Sequence, residues 1–224
     1  MESEAKWAAG RKAVEFIQNG MIVGLGSGST AECFIQSLIE KVRKGLQIQA
    51  VASSRKSAEM AKRGGIAVLD INEVPRIDIT VDGADEIDPK KRMIKGGGGA
   101  HVREKILASS SSEMVVVVDN SKLVSALGQK KLPIEVLFYG SPATRTKIEQ
   151  LGFSGKWRMN EDGTLFITEN GNILFDIHFK SAPSAPESLN EALLLIPGVI
   201  DTGFFFNLAG RVVVGYPEGK TEIR

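Results

Sequence analysis

The stretch EMVVVVDN, residues 113–120, limits the possible folds more than any other part of the chain. Its valines show no alternation with polar residues, so a strand built from them is covered on both faces. Such a strand belongs inside a sheet with helices above and below it. The flanking sequence supplies both kinds of element. MIVGLG (21–26), IQAVAS (48–53), IAVLD (66–70) and IDITVDG (77–83) read as short apolar strands. Residues 4–19 place Trp7, Ala8, Val14, Phe16 and Ile17 at helical spacing, and TAECFIQSLIEKVRK, RKSAEMAKRGG and HVREKILASSS read as further helices. Strands alternating with helices predict a parallel sheet covered by helices.

Ligands of such sheets bind beyond the carboxyl ends of the strands. GSGST (26–30), DGADE, KGGGG and DNSK all follow strands, which expects four polar segments at one sheet edge. The stretch from Val81 to Lys105 is the richest. It brings Asp82, Asp85, Glu104, Lys95 and Lys105 around the glycines 96–99. A run of glycine costs about 1 kcal/mol per residue in a regular element, so it reads as a loop that wraps a ligand closely. Carboxylates, lysine and such a loop are the parts of a proton-transfer enzyme.

The first turn separates two ligand classes. A Walker A loop needs a lysine that GSGST lacks. The dinucleotide fingerprint needs a third glycine where Ser29 stands, and an acidic residue where the second strand ends in Ser53 and Ser54. A nicotinamide cofactor is therefore not expected. Ser27, Ser29 and Thr30 instead offer hydroxyls at a helix start, which suits a phosphate monoester. A plain capped turn is the competing explanation.

After Gly128 the rhythm changes. KLPIEVLFYG reads as a strand, ATRTKIEQLG as a helix, KWRMN as a short strand and LFITENGNILFDIHF as a hairpin around Asn-Gly-Asn. SAPESLNEALLLIPGV reads as a helix and IDTGFFFN as one more strand. That order is the split βαβ pattern of a small α+β domain. VVVGYPEG (212–219) is expected to return to the first sheet. The expected domains are therefore 1–129 plus 205–224, and 130–204.

A net charge of +1 gives no reason to expect nucleic acid or a charged membrane surface as partner. No apolar run reaches membrane-spanning length, the N-terminus lacks an apolar signal core, and Cys33 is the single cysteine, so a cytoplasmic protein is expected. The two histidines, His101 and His178, lie far apart without a neighbouring ligand, so no metal site is expected.

GLGSGST, VDGADEID, MIKGGGGA, REKI and DNSK, in this order and spacing, closely resemble ribose-5-phosphate isomerase of the A type. The resemblance covers nearly the whole chain, including PIEV and IPGV. One departure is Gly99-Ala100, where the family often has Ala-Ala; it is expected to loosen the loop without touching a reactive group. His101 falls where the family varies and is expected to be a bystander. The resemblance implies an α/β fold: a Rossmann-like, mostly parallel sheet domain with a smaller ferredoxin-like domain that takes part in assembly. It implies a homodimer or homotetramer, no metal or organic cofactor, and interconversion of ribose 5-phosphate and ribulose 5-phosphate in pentose phosphate metabolism.

The same resemblance implies roles. Glu104 matches the base that moves a proton between C2 and C1. Asp82 matches the residue that opens the furanose ring and moves protons between sugar oxygens. Lys95 and the N–H groups of Gly96, Gly97 and Gly98 would meet the charge that develops on the sugar oxygens. Ser27, Gly28, Ser29 and Thr30 would hold the phosphate, Gly83, Ala84 and Asp85 the sugar, and Lys122 and Lys6 are candidates to complete the charge balance. A sensor that binds a sugar phosphate without turning it over would need the phosphate loop but not Glu104. A sugar-phosphate lactonase or deaminase would need an activated water and a histidine partner, which this pattern does not offer.

Overall fold

Short apolar runs in the first part of the chain make strands of four residues or fewer. The computed structural model describes residues 4–224, which fall into two units. The first unit holds the chain up to Ala84, Arg103–Leu123 and Asn207–Arg224. Its elements are α1 (Glu4–Val14), β1 (Ile22–Leu25), α2 (Ser29–Arg43), β2 (Gln49–Ala52), α3 (Arg55–Arg63), β3 (Ala67–Val68) and β4 (Ile79–Asp82). Most of α4 (His101–Ser109), β7 (Met114–Asp119), β13 (Ala209–Gly215) and β14 (Thr221–Ile223) complete it.

The strands form one sheet in the order β14-β13-β7-β4-β1-β2-β3. Neighbours pair in parallel except β13 and β14. From β3 to β13 this is the doubly wound Rossmann-like order, which reverses between β1 and β4. Every residue of β7 is buried, as its valine run requires. Val23, Leu25, Phe34, Leu38, Val81, Val115 and Val213 form the core beneath the helices. Gly24 and Gly26 let β1 approach β4: a Cβ on Gly24 would stand 1.9 Å from Thr80 Oγ1, and one on Gly26 2.1 Å from Asp82 Oδ1.

The second unit holds Asp85–Val102 and Val124–Phe206. Its larger sheet contains β8 (Leu132–Val136), β9 (Gly155–Trp157), β10 (Ile173–Ile177) and β11 (Val199–Thr202), in the antiparallel order β11-β8-β10-β9. With α5 (Ser141–Gln150) and α6 (Pro186–Leu194) between strands, this is the ferredoxin-like arrangement. Ile134, Val136, Ile148, Phe175 and Leu193 lie at its core. A smaller sheet joins β5 (Glu86–Ile87), β6 (Met93–Ile94) and β12 (Phe204–Phe205) in the order β12-β6-β5.

The division differs from the expected 1–129 plus 205–224 and 130–204. Residues 85–102, 124–129 and 205–206 join the second unit because hydrogen bonds tie them there, Phe205 through the pairing of β12 with β6. The Glu86 carboxylate accepts from the backbone N–H of Gly128 at 2.7 Å and from that of Lys130, and Val124 N–H donates to Ile87 at 3.0 Å. The segment IDTGFFFN, expected as one strand, breaks at Gly203 into β11 and β12 of different sheets. The expected hairpin around Asn170-Gly171-Asn172 forms its turn, but its first arm makes only the isolated bridge Ile167–Ile173, while β10 pairs with β8 and β9. Thr168, Asn170 and Asn172 instead turn their side chains onto the buried Glu135 carboxylate at 3.1, 3.0 and 2.8 Å. β14, at the sheet edge, has no counterpart in the sequence reading.

Gly203 sets the height of β6. Its N–H donates to Pro133, its carbonyl accepts from Lys95 N–H at 2.8 Å, and a Cβ there would stand 2.4 Å from the Lys95 carbonyl. Gly203→Ala should therefore lower unfolding free energy by about 1–3 kcal/mol, the usual cost of forcing extra volume into packed backbone. A urea titration measures this; a midpoint equal to that of the parent chain would show that β6 gives way freely.

Candidate active site

The reversal of strand order puts the turns after β1 and β4 side by side in the first unit. Asp82 ends β4 fully buried. Its Oδ1 accepts from Ser27 N–H at 3.0 Å and from Gly83 N–H at 2.7 Å, filling the space that Gly26 leaves. Ser27 Oγ lies 2.7 Å from Ser53 Oγ, and Ser57 Oγ donates to the Gly26 carbonyl at 2.7 Å. Gly28 precedes α2 with φ 89°, a backbone position that L side chains rarely adopt. Ser29 and Thr30 then open α2, whose first N–H groups and dipole favour an anion. Lys6, on α1, donates from Nζ to Ser29 Oγ at 2.8 Å. The structure thus adds a cation to the turn from 23 residues away, and ion and hydroxyl sit together.

Glu104 stands in the first turn of α4 and is 5% exposed. Lys122 closes a short turn after β7 whose start Asp119 caps by accepting from Ser121 N–H at 3.0 Å. Gly83 and Ala84 continue from Asp82 to the boundary between the units.

In the second unit, β6 delivers Lys95, 3% exposed, to a position 5.5 Å from the ring centroid of Phe205. That distance lies within cation–π range. The glycine turn follows. Asp85 accepts from Gly97 N–H at 2.7 Å, so this amide, expected to meet the sugar, is held by a carboxylate in the structure. Gly96 and Gly99 have φ of 96° and 81°. A Cβ on Gly96 would stand 2.7 Å from His101 Nδ1, so the fully buried His101 ring is packed against the turn. A Cβ on Gly99 would stand 2.6 Å from Phe166 Cε1. The fourth glycine therefore does more than loosen the loop: it meets a left-handed backbone and an aromatic ring that alanine would not fit.

Arg158 and Asp176 complete this half, and no local pattern announced them. Arg158 Nη2 and Nε donate to Asp176 at 2.6 and 2.9 Å, and Lys131 Nζ adds a bond of 2.6 Å to the same carboxylate. Arg158 Nη1 also donates to the carbonyls of Gly96 at 2.9 Å and Gly97 at 3.0 Å. Among the described residues no group of three or more His, Cys, Asp or Glu is placed to hold a metal ion.

A Rossmann-like α/β protein with a hydroxyl-rich helix start and a buried carboxylate at its switch point is the class these features define. A family model described as ribose 5-phosphate isomerase A (phosphoriboisomerase A) matches residues 49–219. The ribose-5-phosphate isomerase A of Protochlamydia amoebophila is 47% identical over 220 residues, covering 98% of this chain and 95% of its own. The solved ribose 5-phosphate isomerase A of Methanocaldococcus jannaschii superposes with TM-score 0.91 at 32% identity, covering 98% of each chain. A D-ribose-5-phosphate isomerase solved in complex with phospho-erythronic acid superposes with TM-score 0.93 at 35% identity over 100% of both chains. The chain belongs to the ribose 5-phosphate isomerase A family.

Asp176 gives the second unit a pH dependence. Burial pushes its carboxyl up, but the bonds from Arg158 and Lys131 outweigh burial and hold it below the ordinary carboxylate range. A depressed folded pKa stabilises the fold above the unfolded value of 3.8 and ceases to do so as pH falls through the folded one. Asp176→Asn should cost roughly 3 kcal/mol near pH 7, because two cations lose their partner. Urea titrations of both chains should show that gap narrowing as pH drops from 6 towards 3; a gap that stays constant would remove the ion pairs as its cause.

Proposed function

We propose that this chain interconverts D-ribose 5-phosphate and D-ribulose 5-phosphate through an enediolate, with Glu104 as the base. The observation that carries this is likeness along the whole chain to isomerases of that name, one of them solved with a phosphorylated sugar acid. The reaction moves a carbonyl from C1 to C2, so a proton leaves C2 and one arrives at C1. A single carboxylate on one face of the sugar serves both transfers. A carboxylate accepts the C2 proton in its ionised form and, once protonated, returns one to C1. Negative charge grows on the sugar oxygens as the C2 proton leaves. Lys95 and the N–H groups of Gly96 and Gly98 act as donors there, the Gly97 N–H being held by Asp85.

Asp82 opens the furanose ring and moves protons between sugar oxygens. Asp85, with Gly83 and Ala84, orients the sugar hydroxyls. Ser27, Gly28, Ser29 and Thr30 hold the phosphate, with Lys6 and Lys122 balancing its charge. The contact of Lys6 with Ser29 speaks for its place in this group.

The protein acts as a homodimer or homotetramer in the cytoplasm. Support for self-association comes from an apolar patch on the second unit. Phe138 and Tyr139 are 59% and 87% exposed after β8, and Leu195 is 83% exposed after α6. Leu137 N–H donates to the Gly198 carbonyl at 2.8 Å, which sets the segments after β8 and α6 alongside one another. Light scattering on a sizing column should find more than one copy per particle, and Tyr139→Glu with Leu195→Glu should shift it towards the monomer. A parent chain that runs as a monomer at micromolar concentration would end this part of the proposal.

Ribose 5-phosphate incubated with the protein and EDTA in deuterated water should yield ketose carrying deuterium at C1. Glu104→Gln should lower kcat by roughly 10²–10⁴-fold with the fold intact, while Ser29→Ala should act mainly on KM. Near-parental turnover by Glu104→Gln would take Glu104 out of the mechanism. Binding of the sugar phosphate without any ketose would select a sensor instead.

A further inference from the structure

The glycine turn closes on itself through one bond, from Gly99 N–H to the Gly96 carbonyl at 3.0 Å, and one side chain, Arg158, takes the carbonyls of Gly96 and Gly97. Four successive glycines have more accessible backbone conformations than any other residues, so the turn needs outside contacts to keep one shape. Arg158 supplies them. Its side chain is 9% exposed and forked on Asp176, which Lys131 fixes in turn. The guanidinium lies 5.7 Å from the ring centroid of Phe166, the ring against which Gly99 fits. Nη1 takes the carbonyls of both Gly96 and Gly97.

Two peptide units are fixed as a result. The unit between Gly96 and Gly97 is bound at both ends, its carbonyl by Arg158 and its N–H by Asp85. The unit between Gly97 and Gly98 is bound at its carbonyl. No peptide bond here is cis. A trans peptide directs N–H and C=O to opposite sides, so the Gly98 N–H points away from Arg158. A Cβ on Gly98 would meet nothing within 4 Å, so the turn is open there.

We propose that Arg158 is a positioning residue: by pinning the carbonyls of Gly96 and Gly97 it aims the Gly98 N–H at the substrate oxygen that becomes anionic. This rests on the isomerase function proposed above. Lysine cannot replace it, because the four bonds need the planar, five-donor guanidinium.

The test uses Arg158→Lys in the full chain, with two readouts. Turnover of ribose 5-phosphate should fall about 10²-fold in kcat with KM changed only a few-fold, the scale of a donor misplaced by about 1 Å. Hydrogen exchange followed by NMR should show the Gly97 amide exchanging at least about tenfold faster, while amides of β10 and β7 keep their protection. A well-folded Arg158→Lys chain with parental kcat and parental Gly97 exchange overturns the proposal. Should Arg158→Lys fail to fold, Asp176→Asn loosens the same fork from its far side. Faster Gly97 exchange there supports the hold on the turn, and unchanged exchange refutes it. A parent chain without isomerase activity would sink the function, while the exchange readout still judges whether Arg158 holds the turn.

Discussion

The close approach of β1 to β4 is the constraint on which the first unit depends. Gly24 and Gly26 leave room that the Thr80 and Asp82 side chains occupy. Larger residues at either position would push the strands apart and move Asp82 out of reach of Ser27 N–H. That hydrogen bond joins the turn after β1 to the turn after β4 at the point where strand order reverses. A Rossmann-like sheet opens a crevice there for any ligand. Here two glycines narrow it to a place where a carboxylate, a helix start and hydroxyls meet. The lysine from α1 enters the same place through Ser29.

The second unit solves a different problem. A glycine turn has no side chains with which to fix itself, so charge fixes it from outside. Arg158 reads its carbonyls, Asp85 reads one of its amides, and the rings of His101 and Phe166 fill the space beside its glycines. Each partner comes from a different stretch of chain. The ferredoxin-like sheet is what brings β9 and β10 next to each other, at the register Asp176 opposite Lys156, so that Arg158 and Asp176 can pair.

How much of this the sequence disclosed follows from the range of each interaction. Parallel strands and helices were legible, because valine runs and helical spacing are local signals; KGGGG, expected at the edge of the one parallel sheet, instead follows β6 of the small antiparallel sheet in the second unit. The roles expected of Glu104, Asp82 and Lys95 came from motifs lying within 23 residues of one another in the chain. Arg158, Asp176 and Phe205 were not legible, since each matters through a partner far away in sequence, and a lone arginine in KWRMN looks like any surface charge. The break of IDTGFFFN was hidden for the same reason: only the Lys95 carbonyl packed on Gly203 shows why the strand must change sheets. The hairpin misled because Asn-Gly-Asn does form a turn, while Glu135 draws the flanking polar side chains inward.

Burial of charge ties the proposed chemistry to the fold. Asp82, Lys95 and Glu104 are at most 5% exposed, each inside its own unit. Taking such groups out of water opposes folding by several kcal/mol apiece. Two valine- and isoleucine-rich cores and a web of backbone donors offset that, which a smaller or looser domain could not do. What the burial achieves is electrostatic. In a region of low polarisability a fixed cation or amide acts more strongly on a nascent oxyanion than it would in water, and it need not reorient when the charge appears. An exposed lysine on a flexible loop would be screened and mobile. A lysine held by β6 over Phe205, its backbone clamped to Gly203, is neither. The rigidity that excludes alanine from the turns and the reactivity proposed for the buried charges are therefore two consequences of one packing arrangement.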